Sequence, residues 1–150
     1  LRELIATFRL RIDERGFGVA LEETIAEFSE KLGFSVQLHN SLSGIVLSGN
    51  EEMHVIRIIR EALSNIERHA KASRASIEIS VSPERRVMIA IRDNGRGFNP
   101  ADVPENHFGT SIMRDRAHIL HGELCLETAF GAGTTILLSF LPQQYRQPTP

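Results

Sequence analysis

Asp93-Asn94-Gly95-Arg96-Gly97-Phe98 closes an alternating apolar run, Val87, Ile89 and Ile91, and its reading decides the fold. A carboxylate at the end of a half-buried strand is followed by glycines at two-residue spacing. Glycines allow a sharp turn and a close approach of backbone to whatever the carboxylate holds. An ionised carboxylate only accepts hydrogen bonds. Aimed into a pocket, Asp93 can accept the exocyclic N6–H of adenine, whereas guanine offers an acceptor at the matching position. The competing reading is a hairpin, because Asp-Asn-Gly is a strong turn signal. Against it, Asn99-Pro100-Ala101-Asp102-Val103-Pro104 continues as a polar, proline-containing loop instead of a second alternating strand.

About thirty residues upstream lies Glu61-Ala62-Leu63-Ser64-Asn65. Ile56, Ile59, Leu63, Ile66 and Ala70 gather in one sector of a helix running to about His69, and Glu61, Asn65 and Arg68 project roughly opposite. Glu61 and Asn65 are four apart and stack on adjacent turns. An amide oxygen beside a carboxylate suits a magnesium–nucleotide site, since Mg²⁺ takes hard oxygen ligands, keeps several waters and shares phosphates. Asn65 would be the neutral ligand, Glu61 would hold a metal-bound water or polarise a nucleophile, and Arg68 would approach phosphate. Taken alone, the same face reads as solvated surface with an ordinary Arg57–Glu61 pair. Downstream, Gly109 opens a helix whose N-terminal N–H groups suit phosphate oxygens. Residues 98–108 would be a short lid, and Arg114 and Arg116 read as phosphate contacts or as solvated surface. Gly131-Ala132-Gly133 reads as a turn, with the Thr134 hydroxyl near the adenine.

The remaining pattern places these motifs. Leu1, Leu4, Ile5, Phe8 and Ile12 share a helical face that Gly16 and Gly18 interrupt. Leu21, Ile25, Phe28 and Leu32 form a second stripe ended by Gly33. A strand is expected over 34–39, with a short extended piece at 45–47. Asn50 is expected to cap the following helix. Strands are expected around 77–81, 87–91, 124–126 and 135–141, with a helix to about His121 closed by Gly122. Residues 143–150 read as a loose tail. Adjacent strands joined by short turns, mixed with helices, predict an α+β sandwich: an antiparallel-rich mixed sheet with helices on one face.

Composition narrows the function. The 150 residues are 41% hydrophobic and 24% charged with a formal net charge of −2, which gives no electrostatic reason to expect nucleic acid. Cys125 is the single cysteine; flanked by Leu124 and Leu126, it reads as a buried structural thiol. The histidines are too scattered for a zinc site. No apolar run approaches a membrane span, and no signal peptide is visible.

Taken in order, these boxes resemble those of the Bergerat-type ATPase and histidine kinase superfamily. The likeness is strongest to the catalytic domain of two-component sensor kinases. Glu61 through Ala70 resembles the N box, and Asp93 to Gly97 the first glycine box. Phe108-Gly109-Thr110 through Ala117 looks like the lid-to-helix segment of the nitrate/nitrite sensor kinase branch, with Thr110 where family members commonly have Leu. Residues 1–15 resemble the end of a dimerisation helix or a linker, leaving 16–142 as the ATP-binding domain. The resemblance implies a Bergerat fold, ATP and Mg²⁺ as cofactors, and Glu61 and Asn65 as catalytic residues, with Asn65 on the metal. It implies a nucleotide lined by Arg68, His69, Lys71, Asp93, Gly95, Gly97, Phe98, Gly109, Thr110 and Thr134. It further implies phosphoryl transfer to a histidine on the dimerisation helices and relay to a response regulator. The resemblance also implies a homodimeric full-length protein anchored in the bacterial inner membrane, with this domain cytoplasmic. None of the six histidines is followed by an acidic residue, so the acceptor is expected before Leu1. An ATP-hydrolysing relative and a non-catalytic docking module are the alternatives.

Overall fold

Period-two alternation in four segments builds most of the sheet. A computed structural model describes residues 16–42, 44–99, 101 and 109–146. Strands β1 (Gln37–Asn40), β2 (Ala75–Val81), β3 (Val87–Asp93), β4 (Glu123–Thr128) and β5 (Thr134–Phe140) form one sheet in the order β1-β2-β3-β5-β4. Only β1 runs parallel to its neighbour. Register stacks the apolar residues in rows across the inner face: Ile77, Ile91, Ile136 and Leu126 in one, Ile79, Ile89, Leu138 and Leu124 in the next. Such directly opposed aliphatic pairs are the stabilising unit of a sheet.

Three helices cover that inner face: α1 (Phe17–Leu32), α2 (Gly49–Asn65) and α3 (Thr110–Ile119). α2 is central, touching α1 on one side and α3 on the other. Val55, Ile58 and Ala62 are therefore buried as well as Ile56, Ile59 and Leu63. The apolar sector is wider than the sequence stripe because neighbouring helices cover its flanks. The antiparallel-rich mixed sheet with helices on one face is the expected architecture.

Several boundaries differ from the sequence reading. Gly16, at φ +85°, precedes α1, and Gly18 lies inside it. Gly33 ends α1 in the left-handed conformation, its N–H bonded to the Ser29 carbonyl, as expected. The first strand is shorter than 34–39, and 45–47 is not a strand. Ser48, not Asn50, caps α2: its hydroxyl accepts the Glu51 N–H at 3.1 Å while the Glu51 carboxylate accepts the Ser48 N–H at 2.9 Å. This reciprocal box satisfies two end donors at once, which Asn50 cannot do. At the end of α3 it is His121 that turns left-handed, at φ +55°. Gly122 is needed for space, since a Cβ there would collide with the Ser139 carbonyl and the Phe140 side chain.

Cys125 is exposed. The alternation that turns Leu124 and Leu126 inward sends Cys125 outward with Glu123 and Glu127. Residues 143–146 are tied down: the Gln143 N–H donates to the Glu51 carboxylate at 2.9 Å, and Arg146 donates to the Leu120 carbonyl at 3.0 Å. The expected dimerisation-helix end at 1–15, most of the proposed lid and residues 147–150 lie outside the described residues.

Candidate nucleotide-binding site

Beyond the Ile91–Ile136–Leu126 row, the register continues to Asp93, Thr134 and Thr128. Two residues on means the same face, so the sheet's inner surface changes from aliphatic to polar at one end. A cavity of about 430 Å³ opens there, between this end of the sheet, the C-terminal part of α2 and the start of α3. Ile91, Leu126 and Ile136 form its floor, Ala62, Asn65, Ile66, His69 and Ala70 one wall, and Thr110 and Met113 another. Arg96, Gly97, Phe98, Asn99 and Phe130 complete the rim. A mostly apolar cavity with a few convergent polar groups is the usual form of a small-molecule site.

Asp93 is the ionisable group at its sheet end. The Gly95 N–H donates to the Asp93 carboxylate at 2.8 Å. Burial raises the Asp93 pKa above the ordinary 3.8, and the backbone N–H groups of Gly95 and Thr134 oppose that only in part. Beside it, the Thr128 hydroxyl accepts the Phe98 N–H at 3.1 Å and bonds the Thr134 hydroxyl at 2.9 Å. Asn94, next in sequence, faces away: its side-chain oxygen accepts the N–H groups of Ser73 and Arg74, tying the glycine segment to the start of β2.

The glycines are where side chains do not fit. A Cβ at Gly95 would strike the Ala70 carbonyl and come within 2.7 Å of the Ala70 Cβ. Gly97 has φ +60° and abuts the carbonyls of Ala129 and Gly133. Gly109, at φ +66° before α3, takes a left-handed backbone that favours glycine, and a Cβ there would push aside the Glu61 carboxylate that lies against it. α2 itself ends in a π-helical turn, Ile66–Ala70, whose last carbonyls are taken by Arg96. The Arg96 Nε donates to the His69 carbonyl and its N–H to the Ala70 carbonyl, both at 2.7 Å.

Of the residues singled out in the sequence, Asn65, His69, Asp93, Gly97, Phe98, Thr110 and Thr134 line the cavity. Glu61, Arg68, Lys71, Gly95 and Gly109 do not. Glu61 lies one turn before Asn65, 3.7 Å from the Arg68 guanidinium. Lys71 takes a left-handed conformation after the π turn. Gly95 sits beneath Asp93. Arg116 is not a solvated arginine: it contacts the His54 ring at 3.2 Å, and burial, with Arg57 nearby, lowers its pKa against the pull of Glu61. Sequence reading missed Thr128, Arg96, Phe130 and the apolar walls. Only the in-register position of Thr128 opposite Thr134 could have signalled the first, and that needs the pairing of β4 with β5.

Comparison with known proteins agrees with this geometry. Residues 50–145 match the family described as histidine kinase-, DNA gyrase B- and HSP90-like ATPase. Over 144 residues the chain is 36% identical to the nitrate/nitrite sensor protein NarX of Escherichia coli (strain K12), covering 96% of this chain and 24% of that protein. Over 140 residues it is 35% identical to the nitrate/nitrite sensor protein NarQ of the same strain, covering 93% and 25%. The chain thus spans about a quarter of the length of these relatives. In fold it is similar to the histidine kinase domain from the Erythrobacter litoralis EL346 blue-light activated histidine kinase. That match has a TM-score of 0.72 at 18% identity and covers 85% of this chain and 66% of that one. A match over well more than half its length, centred on the cavity-forming segments, makes the chain a member of the histidine kinase-, DNA gyrase B- and HSP90-like ATPase family.

Proposed function

We propose that this chain is the ATP-binding catalytic domain of a sensor histidine kinase. In this reading it transfers the γ-phosphoryl of MgATP to a histidine on dimerisation helices elsewhere in a longer protein. The observation that carries the reading is the Asp93 carboxylate at the polar end of an otherwise apolar cavity, with the Asn65 amide on the facing helix. A flat base rests one face on the Ile91–Ile136 floor, beside the Ala62–Ile66 wall, and Asp93 accepts its exocyclic N–H. Gly95 and Gly97 leave space for that edge, Phe98 adds apolar wall, and the Thr134 hydroxyl takes a ring nitrogen or ordered water.

The phosphates then extend towards Asn65, His69 and Thr110, with Arg68, Lys71 and the backbone at Gly109 at the outer edge. Among the described residues no group of three or more His, Cys, Asp or Glu is placed to hold a metal. One amide oxygen still fits Mg²⁺ arriving on phosphates, because that ion keeps waters and takes few protein ligands. When bound, Mg²⁺ would neutralise charge on the transferring phosphoryl group. Asn65 would hold its place, and Glu61, kept near by Arg68 and Gly109, would orient the attacking group. Catalysis is then positioning and charge stabilisation.

In the whole protein, the dimerisation helices would supply the acceptor and a response regulator would take the phosphoryl group. Homodimerisation and anchoring in the bacterial inner membrane belong to the same proposal. Among the described residues, no helix is long and apolar enough to cross a membrane. The test is phosphohistidine labelling with radioactive ATP, with and without dimerisation helices supplied in trans. Label on the added helices, and none on the chain alone, is expected. Phosphate release without label would favour ATP hydrolysis, with Glu61 activating water.

A further inference from the structure

Phe130 lines the cavity yet is 83% exposed, the most exposed large apolar side chain among the described residues. It stands on the turn between β4 and β5, where small and polar residues are the usual choice. The backbone beneath it is held firmly. The Gly131 N–H donates to the Arg96 carbonyl, and the Ala132 N–H donates to the Ala129 carbonyl at 3.0 Å. Gly97 packs directly on the carbonyls of Ala129 and Gly133, and Gly133 packs on the Asp93 carbonyl. The backbone that carries the ring is therefore held to the Asp93–Gly97 segment, and the ring itself lines the same cavity as the carboxylate.

We propose that Phe130 is a further nucleotide-contacting residue, its ring covering the face of the purine whose edge Asp93 holds. The proposal rests on the nucleotide reading above and deepens it. Every base has a π-face, so stacking adds affinity with little regard to base identity. Asp93 then selects the base and Phe130 holds it. A ring left in water in the free protein gains a partner only when the cavity fills, so its apolar burial is realised on binding and not on folding.

The chain contains no tryptophan, so Phe130→Trp places a single indole at the rim. Saturating ADP is expected to protect that indole from acrylamide quenching. Phe130→Ala, whose side chain contributes little to the fold, is expected to bind ADP roughly fivefold or more weakly in calorimetric titration, with an unchanged ligand-free melting temperature. An indole that quenches equally with and without ADP, or an alanine variant with wild-type affinity, overturns the proposal while leaving nucleotide binding intact. A wild-type chain that takes up no ADP in the same calorimeter removes the nucleotide reading and this inference together.

Discussion

Replacing Asp93 with asparagine separates the cost of a charge in the free protein from its use in the complex. In the complex, the substitution puts an amide where a charge-assisted acceptor meets the adenine N–H. Losing a hydrogen bond to a charged group costs about 1.5–3 kcal/mol, roughly a ten- to hundredfold weaker ADP affinity. The free protein responds differently. Burial raises the Asp93 pKa despite the N–H groups of Gly95 and Thr134, so the folded state disfavours the ionised form relative to the unfolded chain. For a folded value above the unfolded one, the stability contribution is fully present below the ordinary 3.8 and is lost as pH rises through the folded value. At neutral pH, a neutral asparagine therefore removes a desolvation cost, and its oxygen can still accept the Gly95 N–H. The ligand-free melting temperature should hold or rise while ADP affinity falls. Affinity follows the opposite pH course. Because the ionised form is the acceptor, wild-type binding should weaken as pH falls through the raised Asp93 value, beginning above 3.8, and Asp93→Asn should flatten that dependence. Calorimetric titration with ADP and GDP across pH, paired with thermal melts, reads all of this. Wild-type ADP affinity in the variant, or equal affinity of the native chain for ADP and GDP, would refute the role given to Asp93.

Three further perturbations test other parts of the argument. Glu51→Ala strips one half of the capping box and the anchor for Gln143, removing the protein acceptor of two part-buried N–H groups; at about 0.5–1.5 kcal/mol per hydrogen bond, urea unfolding should show a loss of about 1–3 kcal/mol, and a loss under about 0.5 kcal/mol would contradict it. Gly97→Ala puts a Cβ against two carbonyls at a left-handed position, so it should cost roughly 2 kcal/mol or more in the same assay and abolish ADP binding. Asn65→Ala should leave metal-free ADP binding within about threefold of wild type, yet reduce label transfer to supplied dimerisation helices by roughly 100-fold or more, as expected for lost transition-state charge stabilisation; full transfer would return Asn65 to a structural role.

What the sequence made legible was periodic. The alternations at Ile77, Ile79, Val87, Ile89 and Ile91, and the stripe through Ile56, Ile59 and Leu63, became the sheet and the central helix. The polar end of the cavity was legible because Asp93 keeps the parity of Ile91. Non-periodic features were less so. The Ser48–Glu51 spacing of a capping box is itself a local signal, which the choice of Asn50 overlooks, whereas Cys125 is recognised as exposed only once β4 is seen as an edge strand with one face to water. The return of residues 143–146 to α2 and α3 rests on contacts between segments far apart in the chain, which local propensity does not encode. The same holds for Thr128, which meets Thr134 and Phe98 through the register of β4 with β5, and for Phe130, which reaches the cavity from the turn that joins those strands.

Arg96 draws these distant contributions together. A π-helical turn at the end of α2 leaves carbonyls that the helix itself cannot satisfy. Arg96 takes two of them, His69 with its side chain and Ala70 with its backbone, while its own carbonyl accepts the Gly131 N–H. One residue thus bonds the helix carrying Asn65, the glycine segment after Asp93 and the turn carrying Phe130. The glycines at 95, 97 and 133 make this convergence possible, since each meets a neighbouring backbone where a side chain would not fit. The glycine spacing in the sequence is therefore first a statement about how closely three backbone segments approach. Its consequence for a nucleotide is that the acceptor for the base and the amide proposed to serve the phosphates are fixed relative to each other before any ligand arrives. Such pre-organisation spares binding the cost of ordering these segments.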